Sequence, residues 1–347
     1  MRFYSQQHPY YCGIDLHTRK MFCCIVDQAG EIREHSNLPT REHRFLKLIE
    51  PYREGLVVGV ECMFSWYWLA DLCEREQIDF VLGHALYMKA IHGGKAKNDK
   101  IDSEKIALLL RGGMLPQAYV YPKEMRATRD LLRRRMYLMR RKAELLAHVQ
   151  NTNWQYNLPP FAKKISYKAN RTGVVERFPD LSIQRMVELD LSLIGQLEEH
   201  LRKTEWYLEK TAKVDDPLTF HLLQTIPGIG RILALVLLYE IHDIGRFESV
   251  GRFISYCRLV KCAHESAGKK SGTGGSKIGN AHLKWAFSEA ICLLLRESSE
   301  AQRFVARKEK KHGKGKALSI LAAKLGRAVY WMLKRREPFD ITTFFAS

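Results

Sequence analysis

The chain has 347 residues, 46% of them hydrophobic, and carries 56 lysines and arginines against 38 acidic residues, a formal charge of +18. That length and apolar fraction support more than one packed core. The charge points to a polyanionic partner, nucleic acid first, and no apolar run reaches the roughly 18 residues of a bilayer span. The N-terminus lacks the apolar segment of a secretion signal. The eight cysteines are scattered, several within apolar runs such as Phe22-Cys-Cys-Ile-Val26, and read as reduced, buried thiols. A cytoplasmic protein with no membrane contact is expected.

Taken in order, Tyr10–Asp15, Lys20–Asp27 and Glu31–Leu38 read as three strands of an antiparallel meander. Arg41–Tyr52 has helical spacing, Leu56–Val60 is a β-branched run suited to a buried strand, Trp66–Glu76 is a helix and Phe80–Leu82 a further strand. This is an α/β domain over 1–121. Four acids fall at its element ends. Asp15 ends the first strand, Glu61 the central one, and Asp99 and Asp102 share one face where a helix begins. Clustered carboxylates repel unless a cation neutralises them, and an oxygen-rich set suits Mg²⁺ or Mn²⁺.

From Glu124 to about Asn157 a long helix is expected, with Arg133, Arg134, Arg135, Arg140 and Arg141 forming a track for phosphate or RNA. A second long helix, Leu181–Lys213, completes an antiparallel arm spanning 122–214. The remainder, 215–347, reads as all-α. Its Ile226-Pro-Gly-Ile-Gly230 segment is a helix-hairpin-helix-like turn, in which Gly228 and Gly230 leave backbone N–H groups to cradle a DNA phosphate. Between helical patterns lies a loop crowded with serine, glycine and lysine, from Ala263 to Asn280. It contains Ser266, Ser271 and Ser276 as hydroxyl donors or nucleophiles. Lys269, Lys270 and Lys277 are placed as clamps on backbone phosphates, and Asn280 is counted with the nucleic-acid contacts.

In this order the motifs resemble the DEDD-type transposases of bacterial insertion sequences, the group that includes the Piv DNA invertase. The resemblance rests on Gly13-Ile-Asp15, Val58-Gly-Val-Glu61, Lys97-Asn-Asp-Lys-Ile-Asp102, Ile226-Pro-Gly-Ile-Gly230, Phe253-Ile-Ser-Tyr-Cys257, Ser266-Ala-Gly268 and Ser276-Lys-Ile-Gly-Asn280, spread over nearly the whole chain. It implies a RuvC-like, RNase H-fold first domain whose four acids correspond to Asp15, Glu61, Asp99 and Asp102. It also implies a serine nucleophile in the second domain, and recombination of donor and target DNA guided by a bridge RNA encoded by the element. A homotetramer is implied too, in which acids of one protomer meet the serine of another. The family pairs its nucleophile with a following glycine. Here Ser266 precedes Ala267, and Ser271 precedes Gly272. Counting back from Ser276–Asn280 selects Ser266, with Ser271 as the alternative. Two other functions compete: a RuvC-like nuclease using water and the acids alone, and an inactive DNA-binding relative.

Overall fold

The computed structural model describes residues 2–91, 98–266, 269–274 and 278–346, with backbone alone for 89–90, 262–266 and 269–274. The chain divides into two compact units, Met1–Glu124 and Met125–Ser347.

In the first unit the elements run β1 (Tyr10–Leu16), β2 (Lys20–Asp27), β3 (Ile32–Pro39), α1 (Glu42–Ile49), β4 (Leu56–Glu61), α2 (Tyr67–Arg75), β5 (Asp79–Gly83), α3 (Ala85–Ile91) and α4 (Asp99–Arg111). They build one sheet in the order β3-β2-β1-β4-β5. The first three strands are antiparallel; β4 joins β1, and β5 joins β4, in parallel. The short loops after β1 and β2 permit only antiparallel return, whereas α1 and α2 supply the crossovers that parallel pairing needs. The strands alternate their side chains between two cores. Cys12, Ile14, Val58 and Val60 pack beneath α1 and α2 with Phe45, Ile49 and Leu69. Tyr11, Cys24 and Val57 pack against Ile106, Ala107 and Leu110 of α4. The central strands are therefore covered on both faces, which explains their uninterrupted apolar character.

Gly13 sets how closely α4 approaches. A Cβ there would stand 2.2 Å from the Ser103 carbonyl oxygen and 2.3 Å from the Ala107 nitrogen, both helix backbone atoms. Only glycine lets α4 lie directly on β1. Gly13→Ala is expected to destabilise the unit by about 1–3 kcal/mol and to lift the start of α4 away from the end of β1. A chemical-denaturation midpoint equal to that of the parent protein would contradict this contact.

The second unit is helical apart from one hairpin. It comprises α5 (Lys123–Gln155, beginning at the boundary), α6 (Leu181–Asp215), α7 (Pro217–Gln224), α8 (Arg231–Ile241), α9 (Val250–Tyr256), β6 (Cys262–Ser266), β7 (Lys269–Gly274), α10 (Ala281–Glu297), α11 (Ser299–His312), α12 (Lys314–Arg335) and α13 (Ile341–Ala346). Its centre is α8, whose residues from Leu235 to Ile241 are all essentially buried. A helix apolar around its whole circumference must be encircled, and α5, α6, α7, α9, α10 and α12 supply the surrounding core residues. The α5 and α6 helices run antiparallel. Arg135 pairs with Glu205, Lys142 with Glu198 and His148 with Asp190, so partner numbers fall along α6 as they rise along α5. Their far ends close over a small separate core of Val149, Ile165, Val174, Phe178, Ile183 and Val187. Among the described residues, no helix is long and apolar enough to cross a membrane. Cys12, Cys23, Cys24, Cys73 and Cys257 are buried free thiols.

Candidate active site

Sheet parity puts Asp15 and Glu61 on one face of the sheet, and the start of α4 brings Asp99 to Asp15. Asp15 follows Gly13 on β1 and Glu61 follows Gly59 on β4, and Gly13 lies opposite Gly59 in the parallel register. A Cβ on either glycine would meet α4 residues. Alternation then turns Asp15 and Glu61 toward the face that α4 covers. Asn98 caps α4 by accepting a 2.8 Å hydrogen bond from Ile101 N–H, which puts Asp99 and Asp102 in the first turn. His35 on β3 holds the same end through its ring nitrogen, 3.1 Å from the Lys100 carbonyl and 3.2 Å from Ser103 Oγ.

His17 joins this group, and the sequence reading did not select it. Its Nε2 lies 3.4 Å from an Asp15 oxygen and 3.7 Å from an Asp99 oxygen. One ligand atom from each of Asp15, His17 and Asp99 can be chosen with all three within 4.8 Å of one another. His17 lies just past the end of β1, two residues beyond Asp15, and its place beside Asp99 comes from the packing of α4 against that strand end. Glu61 stands at the neighbouring strand end and Asp102 one helical turn from Asp99, both outside that tight group. Asp102 is 3.6 Å from Lys105.

The Asp15 carboxyl is held above the usual carboxylate range. Burial is the main cause; the charges of Asp99 and Asp102 add to it, and His17 opposes them. A site that crowds a half-buried carboxylate against an exposed one in this way would be relieved by a divalent cation. The carboxylate oxygens suit Mg²⁺ or Mn²⁺, and the imidazole of His17 is a donor that favours a transition metal over Mg²⁺. The residues present therefore fit a metal.

In the second unit, the segment expected as an irregular loop is in part an antiparallel hairpin. Extended, glycine-rich chain cannot satisfy its backbone groups within a helix, and pairing β6 with β7 satisfies them. Ser266 lies opposite Lys269, the last pair of the ladder. Lys270 lies opposite Glu265 and Gly272 opposite His264, so the register skips Ser271. The two candidate serines thus occupy different backbone settings, one at the end of the ladder and one at an irregularity in it. Lys277 and Ser276 lie outside the described residues.

Several expected nucleic-acid contacts are engaged inside the fold. Glu240, fully buried on α8, accepts hydrogen bonds from Arg133 at 2.7 and 2.9 Å, from Arg129 at 3.1 Å and from the Asn280 amide at 2.8 Å. Burial pushes the Glu240 carboxyl up, but the Arg133 hydrogen bonds and the charges of Arg129 and Arg133 prevail and hold it down at about 2. Asn280 also caps α10, accepting from the N–H groups of His282 and Leu283 at 2.9 and 3.1 Å. Asn280, expected among the nucleic-acid contacts, is thus a buried anchor for the chain leaving the hairpin. Arg133 and Arg135 likewise leave the expected basic track. They lie on the inner side of α5, where Glu240 and Glu205 need countercharges. Arg134, Arg140 and Arg141 remain exposed, with Arg134 and Arg141 flanking the Tyr137 ring at 5.3 and 4.9 Å.

The turn between α7 and α8 divides its two glycines. Gly228 has φ +84°, and a Cβ there would fall 2.6 Å from the Leu294 nitrogen, so this glycine seats the turn on α10. Gly230 is exposed, with open space where a Cβ would be, and it precedes the free N–H groups that begin α8.

Comparisons with known proteins bear on both units. A family model described as a transposase of the IS116/IS110/IS902 family matches residues 220–306. A second, of DEDD-type IS110 transposases, matches residues 12–153. The pilin gene-inverting protein of Moraxella bovis is 36% identical over 125 residues, 34% of this chain, and the match spans only 38% of that protein. The transposase for insertion sequence element IS1111A of Coxiella burnetii is 23% identical over 342 residues, 94% of this chain and 90% of that protein.

Proposed function

We propose, for a chain that belongs to the IS110 family of transposases, that it cuts and exchanges DNA strands with the acids of the first unit and a hairpin serine of the second. The observation that carries the reading is the meeting of Asp15, His17 and Asp99 at the end of β1, on the sheet face that Glu61 shares. The DEDD family match implies a RuvC-like fold for this unit, and the sheet order agrees with that implication. Asp15, Glu61, Asp99 and Asp102 would hold Mg²⁺ or Mn²⁺. Such an ion, when bound, withdraws charge from the phosphodiester and from the departing oxygen.

Ser266 acts as the nucleophile. Its oxygen bonds to phosphorus as the deoxyribose oxygen leaves, the serine proton passes to that leaving oxygen, and a phosphoserine link conserves the energy for rejoining. Lys269 and Lys270, beside Ser266 at the end of the ladder, together with Lys277, hold backbone phosphates. Exposed Arg134, Arg140 and Arg141 and the open N–H groups after Gly230 add contacts to nucleic acid. A bridge RNA selects donor and target, and four copies of the chain assemble so that acids and serine of different protomers meet. Sequencing of copurified RNA tests the guide: the absence of a discrete species encoded by the element would remove it.

Ser266→Ala is expected to abolish covalent protein–DNA adducts on denaturing gels and to lower strand exchange by about 1000-fold or more. Loss of the adduct in Ser271→Ala alone would move the nucleophile to that residue. A second reading, water as nucleophile at the metal site, is favoured by the acids being the side chains that visibly cluster. Undiminished cleavage by both serine variants would establish it.

A further inference from the structure

Helices α11, α12 and α13 enclose a groove of about 970 Å³, most of it beyond the family matches and outside the site described above. Its floor is apolar, with Phe304, Met332 and Phe344 buried. Its walls carry Lys308, Lys324, Arg327 and Arg335. These cations are crowded. Arg307, Lys308 and Lys324 stand 5.8, 5.6 and 5.8 Å from the centre of one ring, that of Phe304. Burial, and then the charges of Lys308, Arg307 and Arg327, lower the pKa of Lys324. The groove also contains Glu337 and Asp340, but the Asp340 carboxylate accepts hydrogen bonds from Thr342 N–H and the Thr343 hydroxyl. Trp331 is 46% exposed at the groove, with the Arg335 guanidinium 5.4 Å from its ring.

Lys324, Arg327, Trp331 and Arg335 recur every three or four residues, so they form one stripe along α12. At 1.5 Å per residue the stripe runs for roughly 16 Å. Repelling cations gathered over aromatic rings, with an exposed indole among them, match a ligand having repeated negative charge and flat apolar faces. Double-stranded nucleic acid offers the charge but keeps its base faces stacked inside; an unpaired strand offers both. We propose that this groove binds a single-stranded stretch of nucleic acid, with phosphates along Lys308, Lys324, Arg327 and Arg335 and a base against Trp331. The site is independent of strand cleavage, so its failure and that of the catalytic reading are separable.

The test is fluorescence anisotropy on the full chain, using labelled single-stranded DNA, single-stranded RNA and duplex DNA of one sequence at several salt concentrations. Lys324→Gln/Arg327→Gln is expected to weaken single-strand binding at least tenfold and to reduce the salt slope by about 1.4. Trp331→Ala is expected to weaken it about tenfold with the slope unchanged, and Trp331→Phe to restore it. Duplex affinity should stay nearly constant. Tighter binding of DNA or of RNA identifies which strand occupies the groove. Arg185→Gln/Arg202→Gln, which removes equal charge from the exposed side of α6, should have little effect. Equal losses in the two double variants, equal losses for duplex and single strand, or unaltered binding by Trp331→Ala would each overturn the proposal.

Discussion

Asp15→Asn is expected to lower DNA strand cleavage by about 100- to 1000-fold, the usual consequence of removing one group that stabilises transition-state charge. The fold should survive. Asp15 is one of the carboxylates that crowd the end of β1, and its charged form is disfavoured there by burial and by Asp99 and Asp102. Without metal, neutralising it relieves that repulsion, so the variant should melt at or above the temperature of the parent protein. Metal reverses the order. A cation that binds only the folded state raises stability in proportion to the logarithm of its concentration, and the parent should gain more than the variant on addition of Mg²⁺ or Mn²⁺. Calorimetry with and without metal, beside a cleavage assay, reads both effects. An Asp15→Asn protein that cleaves normally and gains as much from metal as the parent would remove the acids from the mechanism.

The second large effect concerns stability. Glu240→Ala takes the buried carboxylate away from Arg129, whose side chain is 11% exposed, and from the partly exposed Arg133, and removes a partner of Asn280. Breaking one side of a buried ion pair costs about 3–5 kcal/mol, which in a unit of this size lowers Tm by roughly 10 °C. The pH dependence has a definite sign. The Glu240 carboxyl lies at about 2 in the fold, against an ordinary value of 4.5. Its contribution is complete above 4.5 and disappears as pH falls from 4.5 to 2. The parent should therefore lose more stability than Glu240→Gln over that window. Equal acid sensitivity of the two proteins would show that the network contributes little. Because Asn280 both caps α10 and bonds Glu240, Glu240→Gln should also impair any reaction that depends on the chain leaving the hairpin.

Much of the first unit was legible from residue order. The run Leu56–Val60 and the meander before it needed only alternation and short turns, and the observed strands match those ranges to within about two residues. The four acids stood out because each lies at or within a turn of an element's end. His17 did not, because a lone histidine in Leu16-His-Thr carries no chemistry until β1 and α4 bring Asp15 and Asp99 to it.

The second unit shows the opposite balance. Counting arginines on α5 gave one basic track, yet charge density does not say which side of a helix faces protein. Arg133 and Arg135 face inward because α8 and α6 present Glu240 and Glu205 to them, partners more than 60 residues away in sequence. The same distance hid the role of Asn280. In the Ser-Gly-Lys stretch, composition predicted irregular chain, and only backbone pairing between β6 and β7 put Ser266 at the end of the ladder and left Ser271 out of register. The sequence by itself determined the basic character, the order of strands in the first unit and the placing of acids at their ends, because these depend on local periodicity and residue chemistry. Tertiary structure alone decided which arginines meet solvent, which histidine joins the acids and which glycine lets α4 lie on β1, because each depends on what a distant element places opposite.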